Sequence, residues 1–268
     1  MTTLPPLLLV GAGRMGGALL AGWREQGLSR GFVIDPSLGA QSLACPNISV
    51  LADASLLPPD FAPEAIVLAV KPQMAAAVVP AYKRYVGKAA FVSIMAGKTV
   101  QGVSHLLGGS AAVIRAMPNT PAAVRQGITV AFAGPNVSDS QKQLGERLLT
   151  AAGEVAWVEG EAMLDPVTAI SGGGPAYVFL LTELLEKAGL DQGLPPELAK
   201  RMARQTVVGS AALLAASPEA PEALREAVTS PGGTTAEALK LLRADDALPK
   251  IFKAAIQAAV DRSRELSG

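Results

Sequence analysis

The stretch Leu7–Gly16, reading LLLVGAGRMG, constrains this chain more than any other. Four consecutive apolar residues have the length and character of a strand buried on both faces of a parallel sheet, and glycines follow at positions 11, 13 and 16. Each glycine answers a separate demand. Gly11 permits a tight turn, Gly13 keeps a Cβ out of the path of an approaching anion, and Gly16 lets the next helix lie close to the strand. A strand, a glycine turn and a helix in that order aim the helix N–H groups outward, which is how the pyrophosphate of a dinucleotide is held. The apolar Ala18, Leu19 and Leu20 behind the glycines favour this reading over a chance cluster.

Gly27 is placed to stop the first helix, and FVID from Phe32 to Asp35 reads as a second strand. It ends in an acid about 20 residues beyond the glycines, where a dinucleotide fold places its ribose-binding carboxylate. Asp35 would accept hydrogen bonds from the ribose hydroxyls and repel a 2′-phosphate, while the following PSLGAQ brings no cation. This favours NADH over NADPH. The other reading of Asp35 is a solvated turn acid before Pro36, and Ser37 keeps a hydroxyl for a phosphate.

The same form then repeats. AIVLAV from Ala65 to Val70 is closed by Lys71-Pro72 and followed by an alanine-rich helix; FVSIM from Phe91 to Met95 ends at Ala96-Gly97; AVIRAM from Ala112 to Met117 ends at Pro118-Asn119-Thr120-Pro121. Ligands of an open parallel sheet bind beyond the carboxyl ends of its strands, so GAGRMG, VKP, MAG and MPNTP should converge on one crevice. Lys71 reads either as a point charge bordering cofactor or substrate carboxylate, or as a solvated loop lysine. Arg115 and Arg125 read as structural or rim residues, and His105 as a surface or packing residue. Ile128–Ala133 and Val155–Val158 read as closing strands around a helix near Ser138–Ala152.

From about Glu161 strand signals stop, so the chain divides into a dinucleotide-binding domain over 1–160 and a helical domain over 161–268. Asp165-Pro166 has the form of an N-cap with proline at N1, and Ser171-Gly172-Gly173-Gly174 breaks the helix it starts. AYVFLLTELLEKAGL after Pro175 is apolar on most of its circumference and should be buried. Pro195-Pro196-Glu197 opens another long helix through Ala216, and Ala247–Leu266 carries apolar residues at helical spacing. Between them Thr234 and Glu237 have capping-box spacing, which sets the paired glycines Gly232 and Gly233 just ahead of a helix N-terminus: a carboxylate receptor, or an ordinary loop and cap.

Composition narrows the function classes. Lys plus Arg equals Asp plus Glu at 23 each, so no net field draws in nucleic acid or an anionic membrane. The single cysteine, Cys45, excludes an internal disulfide, and with the lone His105 it does not assemble a zinc site. No apolar run reaches membrane-spanning length. A soluble, cytoplasmic, metal-free protein is expected.

Set side by side, these segments resemble pyrroline-5-carboxylate reductase over nearly the whole length. The resemblance rests on VGAGRMG beginning at Val10, LAVKP from Leu68 to Pro72, IRAMPNTPAAV from Ile114 to Val124, SGGGPAYVF from Ser171 to Phe179 and SPGGTT from Ser230 to Thr235. RAMPNTP and SPGGTT are far more specific than the glycine fingerprint. The family's usual SGSGPAY has glycine at 173 here, and the family commonly uses NADPH. The resemblance implies an α/β fold: a Rossmann-type dinucleotide-binding domain, then an all-helical domain through which subunits form a homodimer or a larger ring. It implies a site where the cofactor crevice of one subunit meets helices of its partner. There 1-pyrroline-5-carboxylate is reduced to L-proline by hydride transfer from NADH or NADPH, the last step of proline biosynthesis.

Carried over by the resemblance, Gly11, Ala12, Gly13, Arg14 and Met15 line the cofactor, with Asp35, Pro36 and Ser37 beside them. Ala69, Val70, Lys71 and Pro72, and then Ala96 and Gly97, complete that lining. Ser230, Gly232, Gly233 and Thr234 hold the substrate carboxylate, and Thr235 faces the ring nitrogen as the catalytic residue. Two other readings remain: a related imine or β-hydroxyacid reductase, and a dinucleotide sensor without catalysis. The complete SPGGTT loop speaks against the sensor. A β-hydroxyacid enzyme wants a lysine base in the helical half, where Lys187 and Lys200 lie on ordinary helix stretches.

Overall fold

The computed structural model describes residues 3–267. Its strands are β1 (Leu7–Val10), β2 (Gly31–Ile34), β3 (Ile48–Leu51), β4 (Ala65–Leu68), β5 (Ala90–Ser93), β6 (Val113–Met117), β7 (Gly127–Ala133) and β8 (Gly153–Trp157). The helices among them are α1 (Arg14–Glu25), α2 (Ala75–Val78), α3 (Val100–Leu106) and α4 (Asp139–Leu149). After β8 come α5 (Leu164–Val167), α6 (Gly174–Asp191), α7 (Pro196–Ala216), α8 (Pro221–Ala227), α9 (Thr234–Arg243) and α10 (Ala247–Ser267).

The strands form one sheet in the order β3-β2-β1-β4-β5-β6-β7-β8, whose first six follow the doubly wound dinucleotide order. β1 runs parallel to β2 and β4, with Leu8 opposite both Phe32 and Ile66. The apolar runs are continuous because both faces are covered. Leu7, Leu9, Val33 and Val67 pack on one side against Leu19, Leu20 and Trp23 of α1 and Leu148 of α4. Leu8, Val10, Ile66 and Phe91 pack on the other against Val79, Tyr82 and Val103. The Trp23 indole also donates to the Leu148 carbonyl at 2.8 Å, joining α1 to α4 inside the core.

The sheet is mixed rather than wholly parallel. β7 runs antiparallel to β6, with Arg115 opposite Phe132, and β8 runs parallel to β7. The segment between Met117 and Gly127 is too short for a crossover helix and holds only the 3₁₀ turn Thr120–Val124, so the chain reverses. The expected strands are recovered with ends displaced by at most two residues: β4 stops at Leu68 rather than Val70, although the Ala69 N–H still donates to the Val10 carbonyl at 2.8 Å. The alanine-rich helix is only α2 followed by the 3₁₀ stretch Val79–Tyr85, because Pro80 removes a helical N–H. Gly27, at φ +81°, ends α1 as expected.

The chain forms two compact units. The first runs to Gly172 and takes back the chain from Ala259; the second is Gly173–Ala258. Within the first, Asp165 is not an N-cap. It sits inside α5, buried, and accepts a 2.7 Å hydrogen bond from the Ser263 hydroxyl. The glycines after Ser171 do not break the helix outright: a π-helical turn over Thr168–Gly172 precedes α6, with Thr168 and Ser171 bonded back to the Leu164 and Val167 carbonyls.

Within the second unit, α6 has no buried residue, contrary to the expectation from its composition. Phe179 is 61% exposed and Leu184 55% exposed, because a single chain supplies nothing to cover the helix all round. Only Ala199 and Ala203 are buried on α7. Among the described residues, no helix is long and apolar enough to cross a membrane.

Candidate functional site

The sheet brings the expected loops to one edge. GAGRMG, Lys71-Pro72, Ala96-Gly97 and MPNTP follow the carboxyl ends of β1, β4, β5 and β6, four consecutive neighbours in the sheet. The order turns outward from β1 in both directions, and the loops of β1 and β4 touch at that switch point. Gly11 has φ +91°, and a Cβ there would lie 2.8 Å from the Ala69 carbonyl oxygen. A Cβ on Gly16 would run into the carbonyl oxygen of Gly11, so the start of α1 is pressed against the turn that precedes it. At Gly13 a Cβ would meet nothing within 4 Å, which leaves the space ahead of α1 open. No side chain caps α1, whose N-cap is Gly13, and its first N–H groups remain directed out of the helix end. An open, uncapped helix start of this kind fits a pyrophosphate.

Asp35 stands just past β2, and its carboxylate clasps the glycine turn. Oδ2 accepts from the Ala12 N–H at 2.7 Å, and Oδ1 accepts from the Ser37 N–H at 2.9 Å and the Ser37 hydroxyl at 2.6 Å. Burial pushes the carboxyl up, but the Ser37 and Ala12 hydrogen bonds outweigh it and hold Asp35 below its ordinary value of 3.8. The group is therefore an anion at neutral pH. The N–H of Ala12, a residue expected to line the cofactor, is bonded to Asp35, and the Ser37 hydroxyl proton is directed to Asp35 rather than outward. The Asp-Pro-Ser spacing of an Asx turn carried that signal in the sequence.

Lys71 is exposed at the N-cap position of the 3₁₀ turn Pro72–Met74, and its side chain makes no cap hydrogen bond. Arg115 and Arg125 are structural. Arg115 is buried and pairs with Glu161 at 2.9 Å, and the same Glu161 oxygen accepts from the Val100 N–H at the start of α3. Arg125 binds Glu25 at 2.8 Å and the Ala18 carbonyl at 3.2 Å. His105 is exposed on α3. Glu161, which sequence reading passed over, had no local pattern to reveal it. Gly172 adds a further join within the first unit, since a Cβ there would lie 2.7 Å from the Met117 methyl group at the start of the MPNTP loop.

In the second unit Ser230–Thr235 leads into α9. The capping box expected there is absent: Gly233 is the N-cap, Thr234 is the first helical residue, no side chain caps the helix, and Glu237 instead lies 3.9 Å from Lys240. The Gly233 N–H is spent on the Ser230 carbonyl at 3.0 Å, within a turn whose Gly232 has φ +68°. The groups this leaves for an anion are the N–H groups of the first α9 turn and the exposed hydroxyls of Ser230, Thr234 and Thr235.

Comparison with known proteins agrees with both halves. Residues 7–97 match the family model described as NADP oxidoreductase coenzyme F420-dependent, and residues 161–266 match the model described as pyrroline-5-carboxylate reductase dimerisation. The pyrroline-5-carboxylate reductase of Pseudomonas aeruginosa is 37% identical, the alignment covering 98% of this chain and 97% of that one. That of Haemophilus influenzae is 33% identical, with 97% of each covered. The structure of a pyrroline-5-carboxylate reductase from Coxiella burnetii superposes with a TM-score of 0.89 at 33% identity, covering all of both chains. The Plasmodium falciparum pyrroline carboxylate reductase with NADP bound superposes with a TM-score of 0.84 at 28% identity, again over the full length of both. With a doubly wound sheet, a glycine-cradled helix start and relatives aligned end to end, this chain belongs to the pyrroline-5-carboxylate reductase family.

Proposed function

We propose that this chain reduces 1-pyrroline-5-carboxylate to L-proline with NADH or NADPH, acting as a homodimer or larger assembly of its helical half. The observation that carries the reading is a pair of glycine-capped helix starts, α1 behind GAGRMG and α9 behind SPGGTT, neither closed by a side chain. Each suits one anionic group of the reaction: the pyrophosphate of the cofactor at α1 and the carboxylate of the substrate at α9.

A reduced nicotinamide, when bound, supplies the hydride that the imine carbon accepts. The protein's part is to hold the two reactants in register. The glycine turn, Asp35, Lys71 and the Ala96–Gly97 loop hold the nucleotide. The Thr234 and Thr235 amides, with the Ser230 and Thr234 hydroxyls, hold the carboxylate. The Gly233 amide is taken by the Ser230 carbonyl, so it serves the turn rather than the ligand. The Thr235 hydroxyl bonds the ring nitrogen, orients the C=N group and keeps a proton at that nitrogen. A protonated cyclic imine is already a strong electrophile, so no strong general acid is required.

Asp35 inclines the chain to NADH. It is a fixed anion where a 2′-phosphate would arrive, and the neighbouring Ser37 hydroxyl points to it. The test is oxidation of NADH and NADPH followed with 1-pyrroline-5-carboxylate. The native chain turns over, and Thr235→Ala lowers kcat by about 10- to 100-fold while Thr235→Ser retains most of it. A folded native protein that binds nucleotide without turnover, or a Thr235→Ala variant at full rate, would overturn the assignment.

A further inference from the structure

We propose that the last turn of α10 is a positioning element for the Ala96–Gly97 loop, anchored there by the hydrogen bond from Ser263 to Asp165. The proposal rests on the reading that Ala96 and Gly97 line the cofactor, and it adds Ser263, Asp165 and the Leu266 backbone to the residues that set nucleotide affinity.

Gly97 has φ +69°, and a Cβ on it would lie 2.8 Å from the Leu266 carbonyl oxygen and 3.3 Å from the Leu266 Cβ. The loop therefore meets the end of α10 backbone to backbone. The Leu266 side chain is 57% exposed, so it contributes little burial at this contact. A contact with close geometry and little buried side chain fixes position more than it adds stability.

The anchor lies one turn earlier. Val260, Ser263 and Leu266 follow one another at spacings of three and so share a face of the helix. Val260 and Ser263 are buried, and the Ser263 hydroxyl donates to Asp165 Oδ1 at 2.7 Å inside the first unit. This bond sets the depth and rotation of the turn that carries Leu266. On its other side the loop runs into α3, where Thr99 caps the Gly102 N–H and Glu161 holds the Val100 N–H. The loop is held between these two supports, and α10 is the one that Ser263 controls.

The experiment compares Ser263→Ala, Ser263→Thr, Leu266→Gly and Ala96→Glu in the full chain, reading nucleotide Kd and KM, the KM for 1-pyrroline-5-carboxylate, and Tm. Ser263→Ala should raise the nucleotide Kd and KM about fivefold, as expected when a loop shifts by a fraction of an ångström, with the substrate KM little changed. Ser263→Thr, which keeps the hydroxyl, should restore the native values. Leu266→Gly, at an exposed side chain, loosens the same turn and should move nucleotide affinity in the same direction even where Ser263→Ala fails to fold. Ala96→Glu tests the parent reading and should weaken nucleotide binding. If Ala96→Glu weakens it while Ser263→Ala and Leu266→Gly lower only Tm, the turn is mere packing and the proposal is wrong. If Ala96→Glu has no effect, the loop does not line the cofactor and the proposal falls with that reading.

Discussion

The two units of this chain solve the burial problem in opposite ways. In the first, strands that are apolar on both faces lie between α1 and α4 on one side and α2, α3 and their flanking turns on the other, and Leu148 is fully buried. In the second, α6 is equally rich in leucine yet Leu184 is 55% exposed, and α8 and α9 bury nothing. A doubly wound sheet closes its own core because each crossover helix lands on a face of the sheet. A short run of helices has no such internal cover. Phe179, Leu180 and Leu184 are each more than half exposed in the single chain, which agrees with the match of this segment to a dimerisation model. The first unit thus closes its own core, whereas the second leaves apolar helix faces exposed in the single chain, as the proposed association would require.

The largest expected effect breaks the second unit alone. Leu180 and Leu184 are four apart on α6, on one face, and both are exposed in the single chain. Leu180→Glu with Leu184→Glu should cost nothing in a monomer and bury two unpaired charges in an assembly. Sedimentation should then show the species reduced to monomer and kcat/KM lowered by about 100-fold or more, as when a site loses a contributing subunit. Nucleotide binding by the first unit should persist. An assembly unaffected by the double substitution would mean that this face is not where copies meet.

The next effect falls on the first unit. The Arg115 side chain is 8% exposed and its partner Glu161 25% exposed, so Arg115→Ala strands a largely buried carboxylate that keeps only the Val100 N–H. The loss should be about 2–3 kcal/mol, below the full cost of breaking a buried pair because Glu161 reaches water. That corresponds to a Tm lower by about 5–10 °C for a unit of this size. Arg115→Met with Glu161→Gln removes both charges and should recover part of the loss. Equal Tm for the single variant and the native protein would contradict the structural role given to this pair.

The sequence disclosed the first unit well because its signals are local. A glycine fingerprint, short apolar runs and the turn residues closing them place β1, β4, β5 and β6 and their loops within a few residues. The reversal at β7 is legible too, because the Met117–Gly127 connection is shorter than a crossover needs. The second unit was legible as helix but not as packing: the leucines of α6 state that something must cover them, without saying what. Thr234 and Glu237 show a similar limit. Their spacing suits a capping box, yet the Gly232–Gly233 turn shifts the helix start by one residue and dissolves it. Asp165 was misread for a tertiary reason, since Ser263, nearly a hundred residues away, takes its carboxylate into the core.

The smallest effect sharpens what the first unit alone decides, its choice of cofactor. Asp35→Asn removes a charge and also weakens the clasp on Ala12, so both nucleotides should bind less well. The ratio of kcat/KM for NADPH to that for NADH cancels the shared loss and leaves the charge. A carboxylate a few ångströms from a phosphate costs about 1–3 kcal/mol, so the ratio should rise about tenfold. The pH dependence follows from the same group. Because the folded carboxyl lies below its ordinary value of 3.8, the stability it contributes is complete above that value and is lost as pH falls through the depressed one. Across the neutral range Asp35 stays ionised, so any drift of the ratio in the native protein there should follow the second ionisation of the 2′-phosphate, at about pH 6, and not Asp35. An unchanged ratio in Asp35→Asn would return Asp35 to the role of a clasp for the glycine turn, with no part in discriminating the 2′-phosphate.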